Sequence, residues 1–434
     1  MKIAVVGGGS TYTPELIEGF ARRSDVLAVD ELVLHDIAAD RLDVVGGLAR
    51  RILAKQGFPG TLRTTTSLLD AVDGAAAVLV QLRVGGQRTR LVDETLPGRF
   101  GLLGQETTGP GGFAKALRTV PVVLDIAEQV ARRAQPGAWI VDFTNPVGIV
   151  TRALLEAGHR AVGLCNVAIG FQRRLAARFG VDPDRVRLDH AGLNHLSWIR
   201  RVLLDGVDRL PDLLGSDAAV AELVAETELP ADLLRALGAI PSYYLHYFYC
   251  TDRVVQAQAT GPHRAEQVLD IERTLLDMYA DPALDHKPAL LDQRGGAYYS
   301  EAAAALVTSL LTGDGRHHYV DVRNDGTIAG LPDEAVVEVP ALVDRAGPRP
   351  LRTAPLAPEQ LGLVQSVTAY EVLTIAAART GDRRVALRAL LANPLVRQWD
   401  TAVPLLDAIL DANRAHLPRF FGGDDALPAA AVDG

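Results

Sequence analysis

The chain has 434 residues, 48% of them hydrophobic, and a formal net charge of −9. That length suits two domains or one large one with a sizeable core, and the acidic balance without a basic cluster argues against nucleic acid as a partner. No run approaches the roughly 18 uninterrupted apolar residues of a membrane span, the opening MKIAVVGGG lacks the make-up of a signal peptide, and two cysteines, Cys165 and Cys250, imply no disulfide framework, so the expectation is a reduced, cytoplasmic protein.

Residues 2–6 read as a buried strand and residues 16–22 as the start of a helix. Between them lies the glycine turn Gly7-Gly8-Gly9-Ser10-Thr11-Tyr12. A turn of this kind brings backbone N–H groups close to a pyrophosphate, and the helix N-terminus adds partial positive charge. Tyr12 stands where the dinucleotide fingerprint has its third glycine, so a plain strand–helix turn is the alternative. Residues 31–34 form a second apolar run, ending at His35-Asp36. An acid at Asp36 accepts hydrogen bonds from ribose hydroxyls and favours NAD over NADP.

Further along, residues 40–56 read as a helix and 76–82 as a strand. Residues 83–112 read as a long polar, glycine-rich connection, and 113–133 as a helix. Strands follow at 139–143, before Thr144-Asn145-Pro146, and at 161–164, before Cys165-Asn166. The alternation predicts a doubly wound parallel sheet, with its ligand crevice beyond the carboxyl ends of the strands. Asn145 is placed there to meet a sugar hydroxyl or a nicotinamide, although Asn-Pro also starts turns. From about residue 185 the pattern changes to strands of a mixed sheet at 186–189 and 198–204 and helices at 222–237, 266–279, 359–379, 382–391 and 402–414. The domain boundary is placed at residue 166, giving domains 1–166 and 167–434. The Gly/Asp/Ala/Pro-rich run from Gly422 reads as a loose tail.

Cys165 and His195, the latter closing Gly192-Leu193-Asn194-His195, together could hold one divalent metal. A buried inert thiol and a structural imidazole are the more ordinary reading on spacing alone. Residues 243–249 hold four of the ten tyrosines, Tyr243, Tyr244, Tyr247 and Tyr249. Most of these rings are packing, but a tyrosine beside a metal can serve as a general base. Arg264 is a candidate phosphate partner, with an exposed ion pair as the bland alternative.

Taken in order, these segments resemble glycoside hydrolase family 4. The resemblance rests on Gly7 to Glu15, Arg90-x-x-Asp93-Glu94, Gly104-Gln105-Glu106-Thr107, Phe143-Thr144-Asn145-Pro146, Gly163-Leu164-Cys165-Asn166, Gly192-Leu193-Asn194-His195 and Pro241-x-x-Tyr244-Leu245. It runs from residue 1 to about residue 270; beyond that the chain agrees only in being helical. The resemblance implies an α/β fold: a Rossmann-type sheet followed by a lactate-dehydrogenase-like α+β C-terminal domain. It implies NAD and Mn²⁺ or another divalent metal as cofactors, with Cys165 and His195 as metal ligands and Tyr244 as the base. Arg90, Asn145, Asn166 and Arg264 become substrate contacts, Arg264 for a sugar phosphate. Gly7, Gly9, Ser10, Thr11 and Asp36 become cofactor contacts. The implied substrate is a phosphorylated disaccharide or aryl glucoside, and the implied assembly a homodimer or homotetramer.

The family departs from the two-carboxylate scheme of most glycosidases. Its chemistry oxidises the sugar at C3, removes the acidified C2 proton and eliminates the aglycone at C1. One position departs within the family. Members acting on α-linked 6-phosphoglucosides carry an aspartate after the metal cysteine, and here that place is Asn166. The amide resembles the 6-phospho-β-glucosidase branch and leaves the leaving-group acid unassigned. An ordinary dehydrogenase of a sugar or hydroxy acid, or a family member acting on a non-phosphorylated galactoside or glucuronide, are the alternatives.

Overall fold

Six parallel strands open the computed structural model, which describes residues 1–295 and 298–422. They are β1 (Lys2–Val6), β2 (Glu31–His35), β3 (Thr61–Thr65), β4 (Ala77–Val80), β5 (Trp139–Asp142) and β6 (Ala161–Gly163). Their order is β3-β2-β1-β4-β5-β6, that of a dinucleotide-binding sheet with its switch point between β1 and β4. Helices α1 (Thr13–Ala21), α2 (Ala39–Lys55), α3 (Leu68–Val72), α4 (Gly86–Thr95), α5 (Gly109–Arg133), α6 (Val147–Glu156) and α7 (Val167–Phe179) follow the strands. Both faces of the sheet are covered, which is why β1 is apolar from Ile3 to Val6. Ile3 and Val5 pack with Leu16, Ile17 and Phe20 of α1, whereas Ala4 and Val6 pack with Phe113, Leu117 and Val120 of α5.

The sheet continues without a gap into an antiparallel half. Its strands are β7 (Val186–Leu193), β8 (Leu196–Leu204), β9 (Val207–Asp208), β10 (Ile240–Pro241), β11 (Arg316–Arg323), β12 (Val336–Asp344) and β13 (Gly347–Pro350). The joint is β11 against β6, with Asp321 opposite Gly163. The helix Pro358–Thr380 is the one helix among the described residues long and apolar enough to cross a membrane. It packs instead on α5, α6 and the helix Arg383–Ala392.

Beyond residue 204 the sequence predicts no strand, whereas the structure has β9 to β13 there, and the elements also differ elsewhere. The polar stretch after β4 is not one long connection but contains α4 and the first turn of α5. The buried residues of α4 include Gln87, Arg90, Asp93 and Glu94, so the helix carries no apolar stripe to read. Its partner surface is polar too, since Arg118 of α5 pairs with Asp93 and both side chains are fully buried. The single helix expected over 222–237 is two, Asp217–Thr227 and Ala231–Leu237. They part where Glu228 takes a φ of 58° and Pro230 has no N–H to continue the ladder. The edge strand β3, TLRTT, went unread because it is polar and only half-buried. The tail expected beyond Gly422 lies outside the described residues.

Candidate active site

β1 runs directly into the glycine turn. Gly7 has a φ of 89°, and a Cβ there would lie 2.3 Å from the Gln81 carbonyl oxygen, so only glycine fits between the ends of β1 and β4. The N–H groups of Gly7 and Gly8 donate to the His35 carbonyl at 2.9 and 2.7 Å. Gly9 N–H donates to Asp36 Oδ2 at 2.8 Å, and Ala38 N–H donates to Asp36 Oδ1 at 3.1 Å. The turn therefore orients Asp36, whose carboxylate keeps further acceptor positions.

Gly7, Gly9, Ser10 and Asp36 line a cavity of about 910 Å³. Thr11 does not. It is fully buried, its Oγ1 lies 3.5 Å from Glu272 Oε1, and its carbonyl accepts the Tyr279 hydroxyl at 2.8 Å. Thr11 thus ties the turn to the helix Arg264–Ala280 and is set back from the cavity wall.

Arg90, Asn145, Asn166, Tyr244 and Arg264 line the rest of the same cavity. Asn145, Asn166, Tyr244 and Arg264 each follow a strand or open a helix, and Arg90 reaches the same space from within α4. Asn145 follows β5, and its Oδ1 is buried with no hydrogen-bond partner within the protein. Asn166 stands at the N-cap of α7 without capping it through its side chain. Arg264 opens its helix and donates through Nη2 to the Gln293 and Arg294 carbonyls at 2.8 and 3.0 Å. Burial, together with nearby Arg90 and Arg294, lowers the Arg264 pKa. Six cationic side chains line the cavity, Arg41, Arg83, Arg90, Lys115, Arg264 and Arg294, against the carboxylates Asp36, Glu106, Asp125 and Glu272. In an acidic protein this is a locally positive chamber, suited to an anionic ligand.

Two clusters in this wall went unread in the sequence. Glu106 takes Lys115 Nζ at 2.6 Å, Arg90 Nη2 at 3.3 Å and the Arg83 guanidinium. Burial opposes its ionisation, yet Arg83, Arg90 and Lys115 hold it well below the usual carboxylate range. Lys115 is pushed down to about 7, by burial first and Arg83 next. On the facing helix, Glu272 receives Arg294 Nε at 2.9 Å and Gln87 Nε2 at 3.1 Å, and the Arg294 guanidinium lies over the Tyr12 ring. Glu106 belongs to a motif noted in the sequence, but nothing local marked it as a hub for three cations.

Neither His195 nor Cys165 lines the main cavity. His195 lines a small adjoining cavity of about 40 Å³, and its ring stacks on that of Tyr244 with centroids 3.5 Å apart. Cys165 is buried at 3% exposure after β6. Burial pushes its thiol well above the ordinary value, and Glu338 and Asp321 add to that. The Asn194 amide hydrogen-bonds the sulfur and donates to Glu338 Oε2 at 3.0 Å, while His190 Nε2 meets Glu338 Oε1 at 2.5 Å.

A thiol and an imidazole are a sound donor pair for a first-row divalent metal. Among the described residues no group of three or more such side chains is placed to hold a metal. Two donors, Cys165 and His195, would leave the remaining positions of a metal to ligand oxygens, as an open, reactive site requires. The residues present fit both groups, a dinucleotide on the glycine turn and a metal beside Tyr244.

Comparison with known proteins bears on the whole chain. The model of family 4 glycosyl hydrolases matches residues 2–181, and that of the family 4 glycosyl hydrolase C-terminal domain matches residues 190–396. A protein of Bacillus subtilis described as a probable 6-phospho-beta-glucosidase is 41% identical, covering 98% of this chain and 99% of the relative. The 6-phospho-beta-glucosidase of Escherichia coli is 35% identical, covering 97% of each. The solved 6-phospho-beta glucosidase of Thermotoga maritima, with NAD and glucose-6-phosphate, superposes with a TM-score of 0.89 at 35% identity. That match covers 96% of this chain and 99% of the relative's. A second form of the same protein holds manganese, NAD⁺ and glucose-6-phosphate.

Proposed function

The chain belongs to the family 4 glycosyl hydrolases, and from that premise we propose that it cleaves 6-phospho-β-glucosides with NAD and a divalent metal, manganese first. The observation that carries the proposal is the shared cavity. The glycine turn, a set of cationic side chains and Tyr244 open on one chamber, with His195 stacked on Tyr244. Relatives of like length act on 6-phosphoglucosides by name, and one of them holds all three small molecules.

Bound there, NAD accepts and returns a hydride at the sugar C3, and the metal is a Lewis acid for the sugar oxygens. The chain's own residues do the rest. Arg264, with Arg90 and Arg294 close by, holds the 6-phosphate; a guanidinium fork matches phosphate geometry. The unpartnered Asn145 Oδ1 accepts a sugar hydroxyl. Tyr244 removes the C2 proton made acidic by the adjacent ketone. Glu106 stays ionised between its three cations and sets the position of Arg90. Asn166 has no carboxylic proton for a leaving group on its side of the sugar. The enzyme assembles as a homodimer or homotetramer in the cytoplasm and accepts disaccharide and aryl aglycones.

A panel of p-nitrophenyl α- and β-glucosides, each with and without the 6-phosphate, tests the proposal with NAD⁺, Mn²⁺ and a thiol reductant present. The β-linked 6-phosphoglucoside is the expected substrate, with no net NADH formed. Stoichiometric NADH without aglycone release identifies a dehydrogenase instead. Equal cleavage of the unphosphorylated β-glucoside removes the phosphate from the reading.

A further inference from the structure

The loop between α4 and α5 is built to hold one hydroxyl against His195. Gly104 is pinned by Gln258, which accepts its N–H at 3.0 Å and donates to its carbonyl at 2.7 Å. A Cβ on Gly104 would lie 1.7 Å from the Glu94 carbonyl oxygen, and one on Gly112 would lie 2.5 Å from the Thr107 carbonyl, so the loop packs on both helices at backbone distance. Within it, Gln105 Oε1 accepts the backbone N–H groups of Thr107 at 2.5 Å and Thr108 at 2.7 Å. A peptide N–H only donates, which identifies the atom it meets as the side-chain oxygen and not the amide nitrogen. The same Oε1 lies 2.8 Å from Thr107 Oγ1. That oxygen can only accept, so the threonine hydroxyl donates its single proton there. Towards His195 Nδ1, 3.1 Å away, Thr107 Oγ1 is left as an acceptor.

We propose that Gln105 and Thr107 form a relay that sets the tautomer of His195, placing the hydrogen on Nδ1 and leaving the free lone pair on Nε2 for a metal. Thr107 is a positioning residue acting through His195, and Gln105 is its orienter. A ligating imidazole needs its other nitrogen hydrogen-bonded to fix ring and tautomer. Here the usual carboxylate is replaced by a neutral hydroxyl, which adds no charge to a pocket that already holds Glu338 and Asp321 near the thiol. This inference rests on His195 being a metal ligand, as read above.

Two measurements on the NAD-saturated protein test it. Imidazole ¹⁵N spectra of the metal-free enzyme, with His195 assigned by its loss in His195→Ala, are expected to show the Nδ1–H tautomer in the wild type and in Thr107→Ser. Thr107→Val is expected to gain the Nε2–H form and to bind Mn²⁺ about 10–100-fold more weakly by EPR titration of free Mn²⁺. Thr107→Ser is expected to bind as the wild type does. An Nε2–H tautomer in the wild type overturns the relay, as does wild-type Mn²⁺ affinity in a folded Thr107→Val. Unchanged Mn²⁺ affinity in His195→Ala overturns the ligand reading itself, which separates that failure from a failure of the relay alone.

Discussion

The rings of His195 and Tyr244 lie face to face, their centroids 3.5 Å apart and their planes within 7°. Such a pair is worth about 0.5–1.5 kcal/mol beyond its buried area. Its larger consequence is geometric, because it holds a proposed ligand and a proposed base in one rigid unit. Tyr244 by itself is a poor base. Burial first, then Tyr243 and Cys165, raises its pKa well above the ordinary phenol value. A divalent cation held by its stacking partner reverses that balance, since a near positive charge favours the phenolate.

Tyr244→Phe keeps the stack and removes the hydroxyl. Turnover is expected to fall by about 10²–10⁴, the usual contribution of general acid–base catalysis, with Mn²⁺ and NAD affinities unchanged. Product formed by the wild type in D₂O is expected to carry deuterium at C2 by NMR. Protium at C2 throughout would point to direct displacement at C1.

As the proposed metal ligand Cys165 would act as a thiolate, a form its buried surroundings oppose in the absence of a cation. Cys165→Ser is expected to lose Mn²⁺-dependent turnover while NAD titration by fluorescence stays at the wild-type value. Chelation should silence the wild type and added Mn²⁺ restore it. Full turnover by Cys165→Ser with the same metal requirement contradicts the assignment.

Arg264 is held by two carbonyls and Gln267, so truncating it leaves its helix in place. Arg264→Ala is expected to raise KM for a 6-phosphoglucoside by about 10-fold or more, the scale of one charge-assisted hydrogen bond. NAD affinity should change far less than this KM, because the glycine turn meets a cofactor through its backbone rather than through Arg264. An unchanged KM removes Arg264 from the phosphate site.

The amide at Asn166 gives the anomer preference its test. The wild type is expected to cleave cellobiose 6-phosphate and to leave maltose 6-phosphate nearly untouched in a coupled glucose assay. Asn166→Asp is expected to gain α activity modestly. Efficient hydrolysis of maltose 6-phosphate by the unmodified protein refutes this role for Asn166.

Asp142 supplies a pH dependence of stability. It is fully buried, and burial pushes its pKa up to about 8 against the Thr144 N–H and Thr151 hydroxyl that bond it. The unfolded chain loses this proton near pH ~3.9, whereas the native protein keeps it to about pH 8. Between those values the native state binds more protons, so its stability falls as pH rises. Asp142→Asn cannot ionise. Its stability relative to the wild type is expected to improve by roughly 1–3 kcal/mol from pH 5 to pH 8 in denaturant titrations. Parallel stability curves for the two proteins exclude the effect.

The order of β1, its glycine turn, β2 and Asp36 was legible because each is written in adjacent residues. An apolar run, a turn glycine and a terminal acid sit within a few positions of one another, and period-2 and period-3.6 patterns are local. Asn145 and Arg264 were legible by residue type, Arg90 and Tyr244 through the family resemblance, and all four line one cavity. What the chain alone left open is how polar groups pair across elements. α4 read as loop because its buried face is charged, and that face makes sense only once Arg118 comes to it from α5. Lys115 read as one more residue of a core helix, yet it lies 2.6 Å from Glu106. Thr11 read as a cofactor contact, but the approach of the helix Arg264–Ala280 turns it towards Glu272. Thr107 reaches His195 across 88 positions of chain. Hydrophobic burial leaves a periodic trace because every neighbour in an element shares the same surface. An ion pair, a hydroxyl relay or a ring stack involves one residue from each side, so its partner is decided only when the sheet and its helices have closed.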